Sequence, residues 1–270
     1  MFDMKQALDK FKTALSPEAV PSRSSTPSSS SLNRSSRKTS RDRNISVNGS
    51  LLFEEDDVLP TVKLTGYLPT TKNRLITPDM CDQLRSLMPT RVQLYTEWEL
   101  LYSLEQHGSS LKSLYDHVSP QSTTPMRVGY VIVIKDRKNG IFGGYTNEPF
   151  HPTENRRYYG NGECFLWRLD KVPHLTICDG GKRSDSHIKQ NQEEHVWQFR
   201  GYPYTGLNEF AIYCQSGFLS MGAGDGHYGL WIDDGLMQGV SYPSLTFGND
   251  VLSKEGEKFH IVALEVWRVG

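Results

Sequence analysis

The chain has 270 residues, with 30 Lys and Arg against 31 Asp and Glu and a formal charge of −1. This length accommodates one large domain with tails, or two small domains. The balanced charge gives no support for a dedicated nucleic-acid-binding protein, and no apolar run reaches the roughly 18–20 residues of a membrane-spanning helix. Only 37% of the residues are hydrophobic, so we expect a soluble protein with part of its chain outside any core.

Residues 1–57 are predicted to hold a short amphipathic helix and a disordered tail. Four apolar residues recur there at helical spacing: Met4, Leu8, Phe11 and Leu15. Residues 16–50 are rich in Ser and Arg and poor in large apolar side chains, which is typical of disorder. The helix fits three interpretations: docking in a partner's groove, lying on a membrane surface, or directing import into mitochondria. The tail fits a phosphorylatable tether or a solvated spacer.

Residues 58–270 are predicted to form one folded domain, in which helices precede strands. Helices are expected over residues 78–87 and 97–106, and from a Ser109 or Ser110 cap through Tyr115. Strands are expected at residues 128–135, 141–142, 163–169, 175–178, 196–199, 210–214, 230–232 and 259–269, with an Asn139-Gly140 hairpin turn and a surface loop over residues 179–195. This order predicts an α+β fold, an antiparallel two-sheet β-sandwich flanked by helices.

A glycine-rich stretch, GAGDGHYG at residues 222–229, raises the question of nucleotide binding. A dinucleotide loop needs a following helix, whereas the residues from Gly229 to Asp233 are strand-like, so the stretch predicts tight hairpin turns. The nearby Asp and His residues match no calcium or zinc spacing, and no metal or cofactor is expected. Exposed loops on a rigid sandwich suit partner recognition. The candidate partner-binding residues are Gly222, Gly224, Asp225, Asp233 and Asp234.

Two carboxylates and two thiols are candidates for chemistry. Glu265 lies in an apolar row of the last strand, with Phe259, Ile261, Ala263, Trp267 and Val269 on the same face. A buried carboxylate there, or more weakly at Glu163, is either an acid with a raised pKa or a structural group satisfied by an arginine or by backbone N–H groups. Cys164 and Cys214 are either core residues or redox-active thiols.

Several motifs resemble the TLDc domain family. They are residues 102–115, 160–167, 208–210, 229–234, 239–241, 246–249, 252–253 and 264–267, within a match from about Leu59 to Val269. Gly235 and Ser244 depart from the family pattern, which often has Asp and Cys there. The resemblance implies a two-sheet sandwich, no established catalytic activity, protection against oxidative stress, and binding to the vacuolar-type proton-pumping ATPase with regulation of its assembly or activity.

We therefore expect a non-enzymatic protein that docks on the peripheral catalytic sector of that pump and favours its disassembly or inhibition. It is expected to be cytoplasmic, recruited to the vacuole membrane surface and monomeric when unbound, with a mitochondrial pool left open. The alternative is a thiol-based antioxidant enzyme that uses Cys164 or Cys214.

Overall fold

The computed structural model describes residues 59–122, 124, 127–155, 157–173 and 195–270, with the backbone alone at 171–173 and 195–197. The predicted N-terminal helix and tail, the strand at 175–178 and nearly all of the loop at 179–195 lie outside the described residues, and the domain boundary at residue 58 stays a prediction. None of the described helices is long and apolar enough to cross a bilayer.

Eleven strands and four helices make up the described part of the chain. The strands are β1 (Lys63–Thr65), β2 (Glu97–Ser103), β3 (Gly129–Asp136), β4 (Ile141–Thr146), β5 (Phe165–Pro173), β6 (His195–Pro203), β7 (Ile212–Gln215), β8 (Phe218–Gly224), β9 (His227–Asp233), β10 (Gln238–Val240) and β11 (Lys258–Val269). The helices are α1 (Pro78–Arg85), α2 (Thr90–Gln93), α3 (Leu104–His107) and α4 (Leu111–Val118). Ser110 caps α4 as predicted, because its hydroxyl accepts a hydrogen bond from the Ser113 N–H.

The strands form two sheets that share β11. The first sheet has the order β6-β5-β4-β3-β11-β2-β1, and the second has the order β11-β10-β9-β8-β7. Residues 258–260 of β11 pair with β10, whereas residues 261–269 pair with β3. Every pairing between named strands is antiparallel except that of β1 with β2. The predicted α+β class, with an antiparallel sandwich and flanking helices, is confirmed.

Two hydrophobic cores lie on opposite faces of the first sheet. The sandwich core lies between the sheets and includes Ile132, Ile134, Phe142, Leu166, Leu219, Met221, Leu230 and Ile232, together with apolar residues of α4. The outer core packs α1 and α2 against the other face and includes Cys81, Leu84, Val92, Trp98, Val131, Val133, Trp167 and Trp267. Among the residues that the structure describes, the first sheet is therefore buried on both faces and the second on one.

The predicted helix over residues 97–106 is wrong. Residues 97–103 form β2, and only Leu104–His107 is helical. Trp98 and Leu100 are buried in the outer core, whereas Glu97 and Glu99 are exposed, so the alternation with a period of two decides the structure.

The predicted single apolar face of β11 is also wrong. The register with β3 shifts between Ile261 and Ala263, which leaves Val262 48% exposed. A bulge of this kind reverses the side-chain alternation that follows it. Phe259 and Ile261 therefore enter the sandwich core, whereas Ala263 and the later members of the row enter the outer core.

Candidate functional site

The outward face of the second sheet carries a continuous set of aromatic rings, which we name the aromatic surface. Its members are Tyr158, Phe210, Tyr213, Phe218, Tyr228 and Trp231. Centroid distances between neighbouring rings run from 4.5 Å for Tyr158 and Phe210 to 6.2 Å for Phe218 and Tyr228. All six rings are at least partly exposed, and none belongs to either core.

Strand alternation places two of these rings, Tyr213 and Trp231, outside. In β7, Ile212 and Cys214 enter the sandwich core, so Tyr213 between them faces outward. Trp231 in β9 alternates in the same way with its buried neighbours. Beside the edge strand β7, Phe210 is 40% exposed.

An aromatic surface of this kind is typical of protein-binding sites. Aromatic side chains bring a large contact area at a small cost in conformational entropy and dominate the binding energy of many interfaces. Contiguous exposed apolar surface on a soluble domain also marks interaction sites. The geometry therefore suits recognition of another macromolecule.

The predicted hairpin at residues 222–229 is confirmed, but the partner-binding candidates do not form one cluster. Asp225 lies in the turn between β8 and β9, with a positive φ of 50°. Gly224 pairs with His227 beside that turn, whereas Phe218 pairs with Asp233 at the opposite end of the hairpin. The structure thus separates Asp225 from Asp233 by the length of β9.

The two candidate glycines serve packing. Gly222 is buried with a positive φ of 70°, and a Cβ there would lie 2.6 Å from the Phe247 ring. A Cβ on Gly224 would lie 2.9 Å from Leu245. These residues let the loop after β10 close over the hairpin, and whether either contacts a partner stays a prediction.

Asp233 and Asp234 organise the turn from β9 into β10. The Asp233 carboxylate accepts hydrogen bonds from the Met237 N–H at 2.8 Å and the Gln238 N–H at 3.1 Å, both through Oδ1. The Asp234 carbonyl accepts the Leu111 N–H at 2.9 Å, which ties the turn to the start of α4. Both residues remain accessible, with Asp234 the more exposed.

Glu265 is 1% exposed and fully engaged in hydrogen bonds. Oε1 accepts from the Leu75 N–H at 3.1 Å, Oε2 accepts from the Trp267 indole at 2.9 Å, and the Tyr67 hydroxyl lies 2.9 Å from both oxygens. Burial raises the pKa of this carboxyl, against the lowering effect of these donors. Glu265 thus joins β11 to the segment before α1, through side-chain and backbone donors rather than an arginine.

Glu163 was expected to be buried, but its side chain is 28% exposed and belongs to a surface ion pair. Both carboxylate oxygens lie 2.5 Å from the Arg91 guanidinium. The hydrogen bonds from Arg91 lower the pKa of Glu163. A carboxyl with a lowered pKa is unsuited to act as a proton donor, so Glu163 is not a candidate acid.

Replacing Glu265 by glutamine should lower the free energy of unfolding by about 1–3 kcal/mol. The reason is that the glutamine NH₂ group, a donor, replaces one of the two oxygens that accept hydrogen bonds from Leu75, Trp267 and Tyr67. The matched Glu163→Gln variant should lose less than about 1 kcal/mol, since its ion pair is partly solvated. Urea denaturation of both variants measures the difference, and equal losses would contradict the structural role of Glu265.

The described cysteines lie inside the fold. Cys81, Cys164 and Cys214 are free and at most 1% exposed. Burial raises the pKa of Cys164 and of Cys214 to about 11, so the reactive thiolate is scarce at neutral pH. Among the described residues, no group of three His, Cys, Asp or Glu side chains is placed to hold a metal ion.

In a Cys178→Ser variant, which leaves these three thiols, a thiol reagent such as DTNB should label no cysteine in the native protein. All three should react once the protein is unfolded in guanidinium. The absorbance of the released thiolate measures both states. Rapid labelling of Cys164 or Cys214 in the native state would contradict this account of the thiols.

Comparison with known proteins places the chain in a family. The TLDc domain model matches residues 69–270. Oxidation resistance protein 1 of Kluyveromyces lactis is 65% identical over 87% of this chain and 90% of its own length, and that of Saccharomyces cerevisiae is 58% identical over the full length of both chains. Oxidation resistance protein 1 of Candida glabrata is 54% identical, again over both full lengths. The chain therefore belongs to the TLDc domain family.

Proposed function

We propose that this protein is a non-enzymatic regulator in the oxidative stress response, which binds the vacuolar-type proton-pumping ATPase. Its docking site is the peripheral catalytic sector of the pump, and binding favours disassembly or inhibition. The observation that carries the proposal is the aromatic surface, six rings that lie outside both cores. The names of the fungal relatives support the link to oxidative stress.

A regulator that acts by binding alone must prefer one state of its target. It shifts an equilibrium only by the difference between its affinities for the two states. A difference of about 3–5 kcal/mol moves a balanced equilibrium almost completely, and a few aromatic anchors in an interface supply that much. The six rings of the aromatic surface are therefore enough to supply the required difference in affinity.

The described cysteines argue against the rival enzyme. A peroxide-reducing thiol needs access to its substrate and a lowered pKa, whereas Cys164 and Cys214 are buried and have raised pKa values. In the proposal, oxidative protection comes from control of the pump. The protein works as a cytoplasmic monomer that the pump recruits to the vacuole membrane surface.

The proposal predicts that purified peripheral sectors bind the full-length protein on an interferometry sensor. A Phe210→Ala, Tyr213→Ala double variant should bind at least tenfold more weakly, because two anchors are lost. Leu94→Ala serves as the control. Leu94 is 66% exposed, but it directly follows α2, which packs in the outer core and not on the second sheet. This variant should bind as the wild type does. No binding of sectors above background would overturn the proposal.

A further inference from the structure

One end of the aromatic surface combines two rings with a carboxylate. Phe218 and Trp231 have centroids 6.0 Å apart and planes inclined by 29°. Asp233 stands directly across from Phe218 in the ladder of β8 and β9, and such cross-strand neighbours have Cβ atoms about 4.5–5.5 Å apart on one face. The carboxylate therefore lies beside the rings.

The carboxylate of Asp233 is held in place but not neutralised. Its Oδ1 accepts both turn N–H groups, from Met237 and Gln238. Within the described residues, no group donates a hydrogen bond to Oδ2, and no Lys or Arg forms an ion pair with Asp233. A fixed negative charge with a free oxygen thus lies beside two aromatic rings.

Arginine is the side chain that fits this combination. Its planar guanidinium stacks on aromatic rings and donates to a carboxylate at the same time. A lysine ammonium makes the charge contact but lacks the flat face. From this charge complementarity we infer that Phe218, Trp231 and Asp233 form a receptor for an arginine side chain of the partner protein. The inference rests on the proposed function, since it takes the aromatic surface as the docking face.

The breadth of the surface indicates a protein segment rather than a free amino acid. Three of the remaining rings continue from Phe218 through Tyr213 in β7 to Tyr158 and Phe210. The fourth, Tyr228 in β9, has its centroid 6.2 Å from that of Phe218. An arginine anchored at Asp233 would bring neighbouring apolar residues of the same segment onto these rings, and such clustered anchors are typical of interfaces. The occupant is therefore an arginine-bearing, partly apolar stretch of the partner.

The first test uses a defined probe and two matched variants. The probe is the blocked peptide acetyl-Leu-Arg-Leu-Leu-amide, and its citrulline analogue keeps the shape without the charge. Asp233→Asn preserves the Oδ1 acceptor for both turn N–H groups and removes the charge. Asp225→Asn removes an exposed carboxylate at the other end of the hairpin, where asparagine tolerates the positive φ.

Titration by nuclear magnetic resonance should show the arginine peptide shifting the Trp231 indole signal of the full-length protein. Citrulline in place of arginine, or Asp233→Asn, should weaken binding roughly 5–10-fold, and Asp225→Asn should leave it within about twofold. Trp231→Leu removes the indole reporter, so its binding is followed through backbone amide signals; it should also weaken binding, and thermal unfolding should show that this variant stays folded. Equal binding of the two peptides, or equal losses from Asp225→Asn and Asp233→Asn, would overturn the inference.

A second arm measures the same variants on purified pump sectors. Asp233→Asn should weaken sector binding roughly 5–10-fold, and a wild-type affinity for this variant would place the docking site elsewhere and overturn the inference. If wild-type protein binds no sector, the proposed function fails, while the peptide titration still decides the arginine receptor. A wild-type dimer in sedimentation that Asp233→Asn dissociates would identify a second copy as the occupant and overturn the inference as well.

Discussion

The structure depends on β11, the strand that both sheets share. Its first residues pair with β10 and the rest pair with β3 and β2, so the bulge at Val262 sets how the second sheet departs from the first. Glu265, seven positions after Lys258, then fixes the same strand to Tyr67 and Leu75. One strand thus closes the sandwich core on one side and anchors the outer core on the other.

In the part of the chain that the structure describes, this arrangement leaves the outer face of the second sheet without a core. The first sheet is covered by the sandwich core and by the outer core, whereas the described part of the chain covers the second sheet on its inner face alone. Nothing within the described residues packs over Tyr213, Phe218 and Trp231 as a core, and aromatic residues there make a surface that a partner protein can bury. The thiols of Cys164 and Cys214, unlike these rings, are buried inside the fold. That contrast favours docking over thiol chemistry.

Local sequence signals predicted the features that depend on a few adjacent residues. The Asn139-Gly140 turn formed because Asn139 tolerates its φ of 59°, and α4 formed behind its Ser110 cap. Features set by distant partners were missed. The Trp98, Leu101 and Leu104 spacing matched a helix, but pairing with β11 selected a strand, and no local pattern marked the bulge at Val262.

The candidate site was predicted in part for the same reason. Asp233 was among the partner-binding candidates, but its neighbours were sought along the chain, around the glycine turn. Its aromatic neighbour Phe218 comes instead from β8, a strand whose glycines obscured its alternation. The aromatic surface was missed because its members are spread from residue 158 to residue 231, and only strand register brings their rings together.

The most direct test of regulation by binding is ATP-driven proton pumping by the purified pump, measured with wild-type protein and with a folded variant that lacks all four cysteines. The account predicts that both proteins reduce pumping to the same extent. An unchanged pumping rate with the wild type, or an effect that disappears together with the thiols, would contradict it.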